Sequence, residues 1–257
     1  MRIGICASPQ SIKPGLEGLA YVEPTASALL CPREDDASFQ KTLAAARQCP
    51  LPLEAVNCLI PGDLKCTGPG VDLTGLDAYF TTVCKRARKA GLRILVFGSG
   101  GSRRVPDGFM HAAASEQIVG HLKRWGPIAV RHHLTVALEP LNKGECNIVN
   151  SVDEAADLVR RAGHPGIRLV VDTYHMVKDG EGPDAIRRAK GLVAHAHCAE
   201  GQNRLAVGLG GEDQRAYFRA MKDIGYDGRI SIEAQWSNFE EQLPVAVAEL
   251  RRQIETA

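Results

Sequence analysis

The feature that most constrains this chain is an alternation of short apolar runs with longer amphipathic ones, repeated eight times. The short runs, at residues 3–7, 20–23, 53–59, 93–98, 134–139, 168–172, 193–198 and 229–234, read as strands. The longer ones, at 11–19, 37–48, 76–90, 112–130, 152–162, 184–189, 212–224 and 239–256, read as helices, the first of them poorly defined. Strands that alternate with helices form parallel pairs joined by crossover helices. Eight such units are what closure of a (β/α)8 TIM barrel takes, and 257 residues is close to the roughly 250 typical of that fold. The expectation is therefore an α/β chain with one TIM-barrel domain over residues 1–257.

Local punctuation agrees with these divisions. Gly91, Gly163 and Gly225 each follow a helical run where a C-terminal cap belongs. Ser151-Val-Asp-Glu154 has the Ser-x-x-Glu pattern of a capping box. No Pro/Ser-rich linker, charge block, low-complexity segment or short repeat divides the chain. Two long loops, 60–75 and 99–111, stand out, and long loops in compact domains tend to be functional or mobile.

Charge narrows the partners. A formal net charge of +1 gives no electrostatic case for nucleic acid or a membrane surface. No apolar run approaches the roughly 18 residues that a spanning helix needs, and the N-terminus lacks the long apolar segment of a signal peptide. Eight cysteines are scattered without a Cys-x-x-Cys pair, several of them in apolar runs, which reads as reduced thiols of a cytoplasmic protein.

Four strands of the second half end on groups that bind metals: Glu139 in LTVALEP, Asp172 in RLVVDTYH, His197 in VAHAHCAE and Glu233 in RISIEAQ. With period-two alternation, Glu139 shares a face with Ala137 and Thr135, Glu233 with Ser231, and His197 with His195. The C-terminal strand ends are where barrel enzymes do their chemistry. A lone acid at a strand end is more often a cap, but four adjacent strands would bring three carboxylates and an imidazole to one point. Three buried acids need a cation to offset their repulsion. The donor set suits one divalent ion, Mn²⁺ or Mg²⁺ first and Co²⁺ next, with zinc less favoured because no thiolate joins in.

These segments resemble the xylose-isomerase-like superfamily of sugar isomerases and epimerases, and within it ketose 3-epimerases and hydroxypyruvate isomerases. The matching stretches are Glu139-Pro-Leu-Asn-Lys-Gly-Glu145, Asp172-Thr-Tyr-His175-Met, His195-Ala-His197 with Glu200 and Asn203-Arg204, and Ile232-Glu233. The resemblance implies a metal-dependent isomerase or epimerase that moves a proton next to a sugar carbonyl through an enediolate. It implies Glu139, Asp172, His197 and Glu233 as metal ligands, with Glu139 and Glu233 also the acid–base pair. Glu145, His175 and Arg204 would contact the sugar oxygens nearest the carbonyl. The implied partner is a small-molecule sugar or keto-sugar; barrels of this superfamily often dimerise or tetramerise, so a homo-oligomer is compatible with it. The chain departs from the epimerase pattern at Gly144, where those enzymes often carry an aromatic residue, and by one extra residue between His197 and Arg204.

The same residues would also serve a lyase or dehydratase acting on a keto-sugar, keto-glycoside or inosose, because an enediolate can expel a leaving group instead of being reprotonated. A DNA-repair enzyme of the endonuclease IV type would need extra histidines that are missing here. The Gly98-Ser-Gly-Gly101 run does not complete G-x-G-x-x-G, since residue 103 is arginine. It reads as a loop over the barrel mouth with a basic rim, or as a loop whose Arg103 or Arg104 grips an anionic group. Glu23 either faces the pocket or makes a structural hydrogen bond. His195 is expected below His197, supporting rather than ligating, and His132 and His133 at the opposite end of the barrel.

Overall fold

The computed structural model describes residues 1–257 and contains eight strands: β1 (Arg2–Cys6), β2 (Tyr21–Glu23), β3 (Ala55–Val56), β4 (Ile94–Phe97), β5 (Thr135–Leu138), β6 (Ile167–Asp172), β7 (Val193–Cys198) and β8 (Arg229–Ile232). They lie in one sheet in the order β2, β1, β8, β7, β6, β5, β4, β3. Every neighbouring pair is parallel. Isolated parallel bridges between Val22 and Leu53 and between Thr25 and Asn57 join the two edges, so the sheet nearly closes on itself. This is a (β/α)8 TIM barrel.

The helices Asp36–Ala46, Leu73–Ala90, His111–Arg131, Val152–Ala162, Arg215–Asp223 and Phe239–Thr256 form the outer ring with the short Asp184–Arg188. Their ends follow local chemistry. Ser151 accepts from the Glu154 N–H as the capping box requires, and Glu154 in turn accepts from the Val149 and Asn150 N–H groups. Gly91 and Gly163 close their helices in the left-handed region, at φ 84° and 64°.

Three expectations need correction. No helix forms at 11–19: only a single 3-10 turn at Pro9–Ser11 is present, because Pro14 and the left-handed Gly15 and Gly18 interrupt the stretch. The third strand is two residues long instead of 53–59, since Cys58 takes φ 49° and turns the chain out of the ladder. Short helices also form at Ala26–Leu30, Gly100–Arg103 and Thr173–Lys178, where no long amphipathic pattern announces them.

Apolar burial divides into two bodies. A cluster of 67 residues fills the layer between sheet and helices. Trp125 anchors it, stacked at 4.8 Å on Phe80 and edge-on at 5.3 Å to Phe97. A separate cluster of five, Ala55, Ile94, Val96, Ala137 and Val170, comes only from β3, β4, β5 and β6. The β2, β7 and β8 strands instead bury polar groups: Tyr21, Glu23, His195, His197 and Ser231 are all fully buried. No helix is long and apolar enough to cross a membrane, and all eight cysteines are unpaired.

Candidate metal centre

Ligand atoms of Glu139, Asp172, His197 and Glu233 all lie within 4.8 Å of one another. Register explains the convergence. At the bottom of the β6–β7 pair Leu169 lies beside Val193, but the register then shifts so that Val170 faces His195 and Asp172 faces His197. Without that bulge Asp172 would lie beside Ala196, and the imidazole would be turned to the other face. On the far side His197 pairs with Ser231, so Glu233, two residues on, shares its face one layer higher.

Each ligand is held by a specific contact. Asp172 caps the helix Thr173–Lys178: its Oδ1 accepts from the Tyr174 N–H at 2.8 Å. That leaves Oδ2 buried and without a hydrogen-bond partner, 3.4 Å from His175 Nε2. Glu139 is packed against Gly98 at the end of β4. A Cβ at position 98 would come within 2.1 Å of Glu139 Oε2, so only glycine leaves room for the carboxylate. The first glycine of the run therefore serves the site by close approach.

His197 is suspended between carboxylates. Its Nδ1 lies 2.7 Å from Glu139 Oε1 and 3.3 Å from Glu233 Oε2, and its Nε2 lies 3.0 Å from Glu23 Oε1. Burial alone would lower its pKa, but the charge of Glu23, with those of Glu139 and Glu233, outweighs burial and raises it well above the usual histidine value. Without a bound ion both ring nitrogens thus donate. Were an ion bound, Nε2–H would stay on Glu23 and the Nδ1 lone pair would be the one available to hold it.

Glu23 is the buried hub beneath the centre. Burial would push its carboxyl up, but His195 and His197 overcome that and hold it well below the ordinary range. Its Oε2 accepts from His195 Nε2 at 2.7 Å and from the Ser231 hydroxyl at 2.6 Å. Since the Ser231 proton is spent on Glu23, the Tyr21 hydroxyl donates to Ser231 at 2.8 Å. Glu23 thus makes structural hydrogen bonds to the histidines, and His195 sits outside the four-residue cluster.

These four residues could hold a divalent ion. Three carboxylates converge with one imidazole, and the buried, unpartnered Asp172 Oδ2 is an acceptor suited to a cation. A second cluster, Cys6, Glu23 and His197, fits less well. Burial and then Glu23 push the Cys6 thiol well up, so it stays protonated, and Glu23 already binds the His197 ring.

The other residues singled out in the sequence line the cavity above, about 320 Å³ in volume, which Glu139, Glu233, Glu145, His175 and Arg204 share. Arg204 donates to Glu233 Oε2 at 2.5 Å and to Glu145 Oε1 at 3.3 Å, and its guanidinium lies 4.5 Å over the Tyr174 ring. His175 Nδ1 accepts from the Asn142 N–H and side-chain amide at 3.1 and 2.8 Å, which puts the ring proton on Nε2. Asn142 also donates to Glu145 Oε1 at 2.9 Å. Of the two readings of Glu23, the structural hydrogen bond is the one found; Asn142, Asn57 and Gly98 have no site role in the sequence reading, although Asn142 lies within the 139–145 stretch and Gly98 in the glycine run. Arg103 departs from the anion-gripping alternative: it is wholly buried, donates to the Phe97 carbonyl at 2.9 Å and lies 5.2 Å over the Phe97 ring. Arg104 is exposed and donates to the Glu145 carbonyl.

Comparison with known proteins identifies the family and the fold. Residues 18–255 match the family described as xylose isomerase-like TIM barrel. A D-psicose 3-epimerase of Enterocloster bolteae is 33% identical over 116 residues, 45% of this chain and 38% of the relative. Five further curated epimerases are likewise covered over less than half their length. Among solved structures, a 3-keto-D-glucoside 4-epimerase from E. coli superposes with a TM-score of 0.80 at 18% identity, covering 98% of this chain and 99% of that one. A D-psicose 3-epimerase from Clostridium cellulolyticum H10, solved with D-tagatose, gives 0.77 at 21% identity, covering 100% and 96%. At these identities the two structures establish the fold.

Proposed function

The chain belongs to the xylose isomerase-like TIM-barrel family, and from that premise we propose that it is a divalent-metal-dependent sugar isomerase or epimerase. It would act as one domain over residues 1–257 on a small-molecule sugar, moving a proton next to a carbonyl with Glu139 and Glu233 as the acid–base pair. The observation that carries this reading is the placement of two glutamates on the outer pair of four adjacent strands, flanking Asp172 and His197 and lining one cavity.

A bound ion, Mn²⁺ or Mg²⁺ by the oxygen-rich donor set, would supply Lewis-acid polarisation of the carbonyl and its neighbouring hydroxyl. The residues do the rest. Burial would raise the Glu233 carboxyl, but His197 and Arg204 hold it well below the ordinary range, so it rests as the carboxylate, the form that a ligand or a base requires, with its basicity restrained by those two cations. In an epimerisation Glu139 returns a proton to the opposite face; in an isomerisation one base returns it to the neighbouring carbon. Arg204 and the Nε2–H of His175 would face the oxygens on which charge develops, and Glu145 would accept from a sugar hydroxyl.

One consequence is measurable without substrate. His197 carries an extra proton while no ion is bound, because its folded pKa is raised; an ion must displace it from Nδ1. Titration calorimetry with Mn²⁺ in buffers of different ionisation heat is expected to show about one proton released per ion, and affinity that climbs as pH rises towards the raised His197 value. Binding without proton release would contradict this charge assignment.

The test of function is incubation of the ion-loaded protein with a panel of ketoses and keto-glycosides in D₂O, followed by NMR. Deuterium is expected beside the carbonyl of the returned sugar. An unsaturated product would instead identify the lyase or dehydratase outcome of the same site. No exchange into any substrate overturns the reading.

A further inference from the structure

A second cavity of about 290 Å³ meets the first at Glu233. It lies over the ends of β1 and β2 and against the helices Ala26–Leu30 and Asp36–Ala46. Small side chains keep it open: Cys6, Ala7, Ser8, Ala28, Ala46 and Ala234 all line it. Its wall facing the reaction centre is Asn57, which is buried and donates through Nδ2 to Glu233 Oε1 at 3.3 Å. That bond fixes the amide orientation, and Asn57 Oδ1, buried at the junction, has no hydrogen-bond partner.

Volume decides what this arrangement takes. Each cavity equals roughly ten waters at about 30 Å³ apiece, enough for the dozen or so non-hydrogen atoms of one six-carbon sugar. A free ketohexose over the four ligands would leave the second cavity to solvent. The lining of that cavity suits another sugar ring: Thr25, Thr42 and Gln10 offer polar groups while Pro24, Leu29 and Ala46 offer an apolar surface. We infer that the substrate is a glycosidically linked keto-sugar of two rings, its reacting ring above Glu139 and Glu233 and its second ring in the Cys6–Ala28–Asn57 cavity.

This inference rests on the proton-transfer reading above and is tested so that the two fail separately. Ion-loaded protein is assayed for deuterium exchange with 3-keto-cellobiose and 3-keto-maltose against D-fructose and D-psicose. The expected kcat/KM for at least one keto-disaccharide exceeds that for either ketohexose tenfold or more. Filling the cavity with Ala28→Trp, an exposed position on a short helix, is expected to lower that preference at least tenfold, through KM. Thr42→Trp, from the neighbouring helix, serves as the second variant, and bound-ion content and melting temperature report the fold. A wild-type preference for the free ketohexoses, or a preference that neither tryptophan alters, overturns the two-ring inference and leaves the epimerase reading standing. No exchange into any of the four sugars overturns both.

Discussion

Glu233→Gln is expected to reduce deuterium exchange into substrate by about 10³-fold or more, with the barrel intact. The amide keeps the size of the carboxylate and can still accept from Arg204 and His197, which now lie 2.5 and 3.3 Å from Oε2. It cannot take up a proton. General acid–base groups contribute about 10² to 10⁴ in rate, and this residue would also be lost as an ionised ligand. The substitution lessens repulsion with Glu23, Glu139 and Asp172 but gives up the ion pairs to His197 and Arg204, and the barrel core, which lies elsewhere, should keep the chain folded. Thermal melting therefore separates this outcome from misfolding. Exchange within tenfold of wild type would show that Glu233 is not the base.

Gly98→Ala is expected to cost about 10- to 100-fold in metal affinity, the range for removing a support from a metal ligand, and about 10²-fold in turnover from misplacement of an acid–base group. The added methyl would sit 2.1 Å from Glu139 Oε2 and 3.3 Å from its Cδ. Glu139 cannot retreat freely, since His197 Nδ1 holds its other oxygen at 2.7 Å. The carboxylate must swing out of the cluster or the strand ends must part. Gly70→Ala in the other long loop is the control, because nothing lies within 4 Å of a Cβ there. Equal metal affinity in the two variants would refute this role for Gly98.

The candidate centre was legible because each ligand closes an apolar strand, a position whose direction and depth follow from the period of two. The helices with strong amphipathic faces were legible for the same reason: Val152–Ala162 and Phe239–Thr256 begin and end as read. What was hidden depends on partners distant in sequence. Glu23 acquires its role from His195 and His197, more than 170 positions away. Gly98 matters only because β4 and β5 are neighbours. The bulge in β7 leaves no mark in VAHAHC, yet it sets His197 beside Asp172. Arg103 shows the opposite failure: a basic residue in a glycine-rich loop suggested anion binding, whereas its guanidinium packs beneath the loop on Phe97. Short helices such as Gly100–Arg103 carry too few residues for a period to declare itself.

The central claim is that Glu139, Asp172, His197 and Glu233 together hold one divalent ion. Crystals grown with Mn²⁺ and measured for anomalous scattering test it most directly. One strong peak per chain is expected, about 2.0–2.3 Å from a carboxylate oxygen of Glu139, Asp172 and Glu233 and from His197 Nδ1. A peak between Cys6, Glu23 and His197, or no peak within the barrel at all, would contradict it.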